Sequence, residues 1–418
     1  MKRSPLVILF VTVVIDLLGF GIILPLLPLY VKQFDGTPVI AGWLATSFSI
    51  MQFLFAPIWG RVSDIHGRRP MILMSLLGSA IAFFLFGIAS NLWILFVARI
   101  AAGILTAASL PTAQAYIADI TPPERRARGM AMIGVAFGIG FACGPWIGGA
   151  LGRYGLAVPA FFVAGMALIN FIWSFLALPE SLGAVRNNTS TREVVLFDLA
   201  RFVRAIRSPA LGPLLTLFSV ATFAFALMEA TFTWLVLLRF VEPQHGAALG
   251  KAALEAKAAA TVGPIFGLVG ITAVLAQGAV MGGLAQKLGE RTLVRLGALA
   301  LTLTLFGIGV TTSLGLLTVL AACLAAGNGM LNPSLSSLVS KVADPDERGG
   351  VLGLQQGLGS FARIIAPPFG TWLLQSISIG SPYFLSGTLM GIAFVLSLNL
   401  GKVAIDEAST TPSTPLGH

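Results

Sequence analysis

The sequence predicts an all-α membrane protein with twelve transmembrane helices arranged in two related six-helix halves. Three observations support this fold class. Of the 418 residues, 56% are hydrophobic and only 10% are charged, whereas soluble domains carry about 25% charged residues. Apolar stretches long enough to cross about 30 Å of hydrocarbon recur along the whole chain. Polar motifs between these stretches appear twice, which indicates an internal duplication.

The apolar stretches must be helices, because backbone groups in lipid have to be hydrogen-bonded within their own segment. We place the spans at residues 6–30, 39–60, 69–89, 92–117, 127–150, 157–178, 209–240, 262–284, 292–312, 316–341, 350–375 and 381–402. The sequence divides into a first half (1–178), a cytoplasmic linker (179–208), a second half (209–402) and a cytoplasmic tail (403–418). We interpret the Ala-rich stretch within 241–261 as a surface insertion, with a short helix outside the membrane as the alternative.

The duplication is visible in the loops that join the spans. GRVSDIHGRR at 60–69 aligns with GGLAQKLGER at 282–291, and PPERRARG at 122–129 aligns with PDERGGVL at 345–352. Both pairs have an offset of about 222 residues. Two homologous halves with both termini on one side imply a pseudo-two-fold axis along the membrane normal. They also imply a substrate site near the midplane between the halves.

The formal net charge of +9 is distributed in a way that predicts the topology. Most lysines and arginines lie in alternate short loops, which places both termini in the cytoplasm. The basic residues on the other side are few, namely Lys32, Arg153, Arg239, Lys251 and Lys257. Since the basic residues form no patch interleaved with aromatic side chains, they do not indicate nucleic-acid binding.

The first cytoplasmic loop and the end of the fourth span combine glycines, carboxylates and arginines: Gly60, Asp64, Gly67, Arg68, Arg69 and Asp119. Glycines in so short a connection allow close helix approach and unusual backbone angles. The charged residues can form a network that holds one conformation closed at the cytoplasmic face and breaks when the halves rock apart. Asp119 is a candidate partner for Arg68 or Arg69. The alternative is a solvated loop that only follows the distribution of basic residues.

Three charged residues inside apolar spans are candidates for proton coupling: Asp16, Arg99 and Glu229. A charge at a helix centre costs at least about 2.5–3.5 kcal/mol, so such residues should face the bundle interior. Asp16 lies about ten residues into the first span, roughly 15 Å deep. Burial disfavours the charged form of a carboxyl group, which makes reversible protonation plausible. The alternatives are a helix-packing hydrogen bond for Asp16 and a structural pairing role for Arg99.

Several further polar residues inside spans are possible polar groups of a substrate cavity: Gln114, Asn328, Asn332, Gln355 and Arg363. Each amide alone is more often an interhelical hydrogen bond.

The fifth span is rich in glycine. Gly140, Gly144 and Gly148 recur every four residues, which places them on one helix face where another helix can pack closely. Pro145 is expected to kink the helix, and Gly149 completes the pattern. As packing residues these positions say nothing about the direction of transport.

Taken together, these motifs resemble those of the major facilitator superfamily. The loop at 60–69 is similar to its signature loop, and Arg99 followed by Gly103 is similar to its second motif, whose arginine is tied to proton coupling. The pattern from Gly140 to Gly149 is similar to its antiporter motif. DLLGFGIILPLLP at 16–28 and YIADITPPERRARG at 116–129 resemble the twelve-span tetracycline-resistance group of drug:proton antiporters. The resemblance implies the major facilitator fold and favours proton-driven export.

The sequence departs from that group at several positions. Gln286 replaces the acidic residue in the second-half loop, and Ala102 stands where a glutamine is usual. Tetracycline pumps carry a histidine in span eight and an aspartate in span nine, which align here with Ala273 and Leu301. Proton handling would therefore rest on Asp16, Arg99 and Glu229.

We expect a monomeric secondary transporter in a bacterial inner membrane that exports small amphipathic drugs in exchange for protons, without a cofactor or metal ion. The alternatives are a metabolite uniporter or proton symporter on the same fold, and a membrane receptor that does not transport. We do not expect an enzyme. The histidines His66, His245 and His418 lie in loops or at the terminus, and no nucleophile–base pair or metal cluster is apparent.

Overall fold

The computed structural model describes residues 5–121, 123–181, 207–245, 249–343 and 348–399. We number its helices α1 (Pro5–Gln33), α2 (Pro38–His66), α3 (Arg68–Gly87), α4 (Leu92–Ile120), α5 (Pro123–Gly152), α6 (Ala157–Ala177), α7 (Leu211–His245), α8 (Lys251–Ala279), α9 (Glu290–Val310), α10 (Leu314–Val342), α11 (Arg348–Ser376) and α12 (Ser381–Leu398). Each coincides with one predicted span, so the prediction of twelve helices is confirmed. The predicted tail and most of the predicted linker lie outside the described residues.

The outer surface of the bundle is apolar. Large hydrophobic side chains are exposed on it, including Trp93 (81%), Leu176 (77%) and Ile169 (70%). Among the described residues, ten helices are long and apolar enough to cross a membrane. A soluble protein would rarely expose so much contiguous apolar surface. These side chains therefore face lipid, and the chain is an integral membrane protein.

Two helices differ locally from the prediction. In α1, a 3₁₀ turn at Leu24–Leu26 separates an α-helix at Pro5–Ile23 from one at Leu27–Gln33, because Pro25 cannot donate a backbone hydrogen bond. Helix α8 begins at Lys251, well before the predicted start at 262. The interpretation of the Ala-rich stretch within 241–261 as a surface insertion is therefore wrong for residues 251–261, which belong to α8. Alanine, lysine and glutamate are good helix formers, and they extend the span.

The duplication also appears in the backbone. Gly67 separates α2 from α3 with φ = 102°, and Gly289 separates the corresponding region of the second half from α9 with φ = 79°. These values lie in the region that favours glycine. The two residues are about 222 positions apart, which is the offset of the sequence repeat. The same tight connection is therefore built twice.

The halves meet mainly through two helix pairs, α2 with α11 and α5 with α8, with smaller contacts of α1 on α7 and α8. Exchanging the halves converts one pair into the other, as a pseudo-two-fold axis requires. Glycines allow the approach in both pairs. A Cβ at Gly263 would lie 2.6 Å from the Cα of Gly149, and a Cβ at Gly42 would lie 2.7 Å from the carbonyl oxygen of Pro367. In lipid, such close packing of small residues is a main source of helix association.

The interface helices pack tightly at one end and separate toward the other. On the same helices, no atom of the described residues lies within 4 Å of a Cβ position at Gly60 of α2, Gly278 of α8 or Gly353 of α11. We call the end that contains Lys32 and Lys251 the closed end, and the end that contains Gly67 and Gly289 the open end. At the closed side of the bundle, Thr233 Oγ1 donates to the Pro25 carbonyl across the halves at 2.7 Å. The halves thus form a V with its apex at the closed end.

Candidate functional site

Asp16, the first proposed proton-coupling residue, lies on α1 and its side chain faces α4. Its Oδ2 atom accepts a hydrogen bond from Ser109. Its Oδ1 atom is buried and has no hydrogen-bond partner among the described residues. A carboxylate with one oxygen unsatisfied in a buried position is unfavourable, whereas a protonated carboxyl group has less charge to compensate. The helix-packing hydrogen bond considered from the sequence is therefore present, but it satisfies only half of the group.

Arg99 of α4 is 3% exposed, so it faces the bundle as the sequence predicts. Its guanidinium carbon lies 4.6 Å from the centre of the Phe48 ring on α2, a cation–π geometry. Its Nε and Nη2 atoms are buried without a hydrogen-bond partner among the described residues. Gly103, one turn later, brings α4 against α2, since a Cβ there would lie 2.6 Å from the Phe48 carbonyl oxygen. The structure thus gives Arg99 an aromatic neighbour.

Glu229 of α7 and Arg363 of α11 lie in the second half and interact electrostatically. Glu229 is half-buried, and Arg363 is exposed although it lies within a span. Pro367, one turn after Arg363, packs on Gly42 of the first half. Because residues four apart share a helix face, Arg363 is turned toward the space between the halves. Glu229 and Arg363 therefore place opposite charges beside that space, and these charges interact electrostatically without an ion-pair contact within 4 Å among the described residues.

The amide candidates differ in position. Gln114 is exposed, whereas Asn328 and Asn332 are half-buried, with Asn332 Nδ2 donating to Asn328 Oδ1 at 2.7 Å. Gln355 is 1% exposed, and its Nε2 atom donates to Ser336 at 2.9 Å. Gln355 therefore does not line open space, which corrects its place among the cavity candidates. Its side chain forms a hydrogen bond between α11 and α10 inside the second half.

Arg68 is the centre of the charge cluster at the open end. Its Nη1 atom lies 2.5 Å from Asp64 Oδ1 and donates to Ser63 at 2.7 Å. Its Nε atom lies 3.2 Å from Asp119 Oδ2, so the contact suggested from the sequence is present. Glu180 accepts the Arg68 amide at 2.9 Å. Ser63, Asp64 and Asp119 belong to the first half, and Glu180 lies at the start of the linker, directly after α6.

This cluster differs from the expected network in one respect. It is intact although the halves are separated at this end, so their separation does not break these bonds. Arg69 is also held inside the first half, where its Nη2 atom donates to the Phe175 carbonyl at 2.6 Å. The close approach expected at Gly60 is not found either, because Gly60 sits within α2 beside open space. In this conformation the cluster ties α2, α3, α4 and the end of α6 together.

The glycine motif of α5 serves two contacts. A Cβ at Gly144 or Gly148 would approach the backbone of Gly21 or Ile22 on α1 to within 2.9 Å and 2.7 Å. Gly140 of α5 packs on Leu17, which also lies on α1. Gly149, by contrast, packs on Gly263 of α8 in the other half. Pro145 lies within one continuous helix. The motif therefore fixes α1 within its own half and also forms part of the interface between the halves.

A second charge cluster, at the closed end, was not identified from the sequence. Lys32 pairs with Glu242, and Lys251 Nζ lies 2.6 Å from Asp35 Oδ1. Each pair joins the first half to the second. Beside them lies Glu255, which is 4% exposed. The available signal was that Lys32 and Lys251 are exceptions to the distribution of basic residues.

Further partners were also missed. Phe48 beside Arg99, Ser109 beside Asp16 and Glu180 beside Arg68 are distant in sequence from the residues that they contact. In the second half, Glu290 lies 2.7 Å from Lys341 Nζ and accepts from Ser337 at 2.5 Å. The second half thus has its own cluster at the open end, although Gln286 replaces the acidic residue of the repeated loop.

The comparisons with known proteins agree with this architecture. The family model described as Major Facilitator Superfamily matches residues 9–311 and 256–416. The chain is 31% identical to the tetracycline resistance protein, class E, of Escherichia coli over 377 residues, 88% of this chain and 87% of that protein. It is 26% identical to multidrug resistance protein 2 of Bacillus subtilis (strain 168) over 400 residues, 95% of each chain.

Among solved structures, the human organic anion transporter MFSD10 (TETRAN) superposes with a TM-score of 0.65 at 25% identity, covering 95% of this chain and 99% of that one. A bacterial homolog of the human lysosomal transporter Spinster in an inward-facing conformation superposes with a TM-score of 0.73 at 13% identity, covering 96% and 97%. This second likeness concerns the fold alone. The chain belongs to the major facilitator superfamily of membrane transporters, which are not enzymes, and within it to the relatives of the tetracycline- and multidrug-resistance efflux proteins.

Proposed function

We propose that this transporter exports small amphipathic, drug-like molecules from the bacterial cytoplasm in exchange for protons. The observation that carries the proposal is the placement of two carboxyl groups, Asp16 and Glu229. They lie within the first helix of each half, α1 and α7, and away from both charged ends. The names of the tetracycline- and multidrug-resistance relatives support export as the direction.

The orientation follows from the distribution of basic residues. The loops at the open end are the basic ones, so we place the open end and both termini in the cytoplasm. In this orientation the structure is an inward-facing conformation, with the closed end at the outer face of the inner membrane. The two halves, 1–178 and 209–402, are the bodies that move.

Transport then proceeds by alternating access. Substrate enters between the halves from the cytoplasm, and the halves rock about the central site until the closed end opens. Protonation of Asp16 or Glu229 from the outside displaces the substrate, and release of the proton inside resets the site. One proton moving down about 100 mV supplies roughly 2.3 kcal/mol, which supports a gradient of roughly 40- to 50-fold.

Arg99 and Arg363 have different parts in this proposal. Arg99 lies on α4 beside the Phe48 ring of α2 and places a positive charge in the same half as Asp16. Arg363 carries a positive charge that interacts electrostatically with Glu229. A proton on Glu229 leaves the charge of Arg363 uncompensated, which disfavours a cationic substrate nearby. Proton and cationic substrate would therefore exclude each other at this site.

Arg363 also favours a second candidate, the transport of organic anions. Its exposed guanidinium group, turned toward the space between the halves, is suited to a carboxylate. The solved structure of the human organic anion transporter, which is 25% identical, supports this candidate. The second candidate predicts that organic anions inhibit ethidium export by the wild-type protein. It also predicts that Arg363→Gln still exports ethidium but is no longer inhibited by organic anions.

The test is ethidium accumulation in an efflux-deficient bacterium that expresses the chain, with and without a protonophore. We expect lower accumulation than in cells with empty vector, and we expect the protonophore to abolish the difference. The Asp16→Asn/Glu229→Gln variant should behave like empty vector, while Asp16→Glu, the matched control that keeps a carboxyl group, should retain export. Protonophore-sensitive export by the double variant would contradict the coupling mechanism. Unchanged accumulation with the wild-type protein verified in the membrane would contradict drug export itself.

A further inference from the structure

The closed-end cluster consists of Lys32 and Asp35 in the first half and Glu242, Lys251 and Glu255 in the second. Its two ion pairs, Lys32–Glu242 and Asp35–Lys251, both cross between the halves. Lys32 and Glu242 are largely buried, with side-chain exposures of 24% and 29%. These bonds exist only while the closed end is closed, because their partners lie on bodies that move apart.

Glu255 has a different environment from the other two carboxylates. It is 4% exposed, and its Oε1 atom is buried without a hydrogen-bond partner among the described residues. It interacts electrostatically with Lys32, Lys251 and Asp35. Both lysines, however, already have a carboxylate partner. Among the described residues, Glu255 is therefore a buried carboxyl group whose two neighbouring lysines are both already paired.

The charge count points to protonation. The cluster contains two lysines and three carboxyl groups, so it carries one excess negative charge when Glu255 is ionised and is neutral when Glu255 is protonated. An uncompensated buried charge is strongly unfavourable. We propose that Glu255 is a proton-binding site of the closed end, which takes up a proton when the halves close there and releases it when they part.

The other charged groups on the helices packed around Glu255 are already engaged or lie apart from it. On α7, Arg239 donates to the carbonyl groups of Ile308, Gly309 and Thr311. Directly after α5, Arg153 donates to Tyr154 at 2.7 Å, and on α8, Lys257 is exposed. His245 follows Glu242 by one turn of α7, and its Nδ1 atom is buried without a partner among the described residues. Among the described residues around Glu255, His245 is therefore the group that the test has to separate from Glu255.

The sign of the coupling follows from linkage. If the closed state binds the proton more tightly than the open state, acid increases the population of the closed state. This site acts separately from Asp16 and Glu229, and it rests on the proposed function only for the assignment of the closed end to the outer face. A proton bound from outside would then favour return of the carrier to the inward-facing conformation.

The experiment measures the distance across the closed end by double electron–electron resonance in lipid nanodiscs. Spin labels are attached at Gln33→Cys and Gln244→Cys, two exposed positions in opposite halves. The native cysteines Cys143 and Cys323, which are free and exposed, are replaced by serine. Distances are recorded from about pH 5 to about pH 8, where carboxyl and histidine groups change charge.

We expect the ratio of closed to open molecules to rise about 5- to 150-fold toward acid pH in the parent protein, the usual range of coupling between two sites. Glu255→Gln, which imitates the protonated form, should be closed across the whole range and should lose this response. Glu242→Gln frees Lys32 for Glu255 and makes the cluster neutral with Glu255 ionised, so it should also weaken the pH response. The matched control is Lys257→Gln, at an exposed position on the same helix, which should keep the pH response of the parent.

Two results would overturn the proposal. One is a Glu255→Gln variant with the pH response of the parent, and the other is loss of the response in His245→Gln with the response retained in Glu255→Gln. Either result leaves the proposed function standing, because ethidium export depends on Asp16 and Glu229. Conversely, a chain that fails to export ethidium can still show the Glu255 response. A Glu255→Asp variant, which keeps an ionisable group, should retain part of the response and shows whether position 255 tolerates substitution.

Discussion

The charged side chains at the two ends of the molecule are connected in different ways. At the open end, Arg68 binds Asp64 and Asp119 within the first half, and Lys341 binds Glu290 within the second. At the closed end, Lys32 and Asp35 bind residues of the opposite half. Bonds within a half move with it and do not oppose rocking, whereas bonds between halves must break. The open-end clusters therefore maintain the shape of each half, and the closed-end cluster contributes to the choice between conformations.

The largest expected effect comes from preventing closure sterically. Gly149→Leu places a side chain where α5 meets Gly263 of α8, and overpacking of this kind costs roughly 3 kcal/mol. Because the cost falls on the closed end alone, we expect ethidium export to be nearly abolished while the protein still reaches the membrane. The matched control is Gly165→Leu, since a Cβ at Gly165 meets nothing within 4 Å. Equal loss of export in both variants would contradict a specific role for the α5–α8 contact.

Removal of the open-end cluster should have a smaller effect. It should lower the stability of the protein and leave the balance between the closed and open conformations unchanged. Arg68→Ala leaves Asp119 without its charged partner and should destabilise the protein by about 2 kcal/mol, seen as a lower thermal midpoint in detergent. Lys257→Ala, at an exposed position, should leave the midpoint unchanged. In Arg68→Ala the label distance across the closed end should equal that of the parent. A changed distance would mean that this cluster also selects between conformations.

The smallest expected effect comes from the exposed ion pair of the closed end. Asp35 and Lys251 have side-chain exposures of 90% and 44%, and exposed pairs contribute less than about 1 kcal/mol. Lys251→Asp should shift molecules toward the open state by a few-fold, through repulsion of Asp35. The charge-swapped double variant, Asp35→Lys/Lys251→Asp, should restore the distance distribution. Failure of the swap to restore it would show that the two residues do not act as a pair.

The sequence predicted the twelve helices because long apolar segments in lipid have only one way to satisfy their backbone groups. It misplaced the start of α8, since Lys251, Glu255 and Lys257 make that stretch resemble a loop. These charges are tolerated inside a span because two of them lie against Lys32 and Asp35 of the other half, and no local pattern reveals such a contact. The repeat offset, by contrast, relates two of the four positive-φ glycines of the described residues, Gly67 and Gly289.

The candidate site was predictable where chemistry alone decides. A charge inside a span has to face the bundle, which Arg99 and Asp16 do. Their neighbours Phe48 and Ser109 were not predictable, because each lies on a different helix, far away in sequence. Gln355 was assigned to the cavity wrongly. Its helix α11 contacts both α2 and α7, and polarity alone does not reveal which of its faces lines open space.

The most direct measurement of the central claim is proton movement driven by substrate in proteoliposomes. The lumen is made acidic, ethidium is added outside, and a pH-sensitive dye reports the gradient. We predict that ethidium accelerates collapse of the gradient in vesicles with the wild-type protein and has no effect with Asp16→Asn/Glu229→Gln. Ethidium uptake with no change in proton flux, or equal proton flux in both proteins, would contradict proton-coupled export.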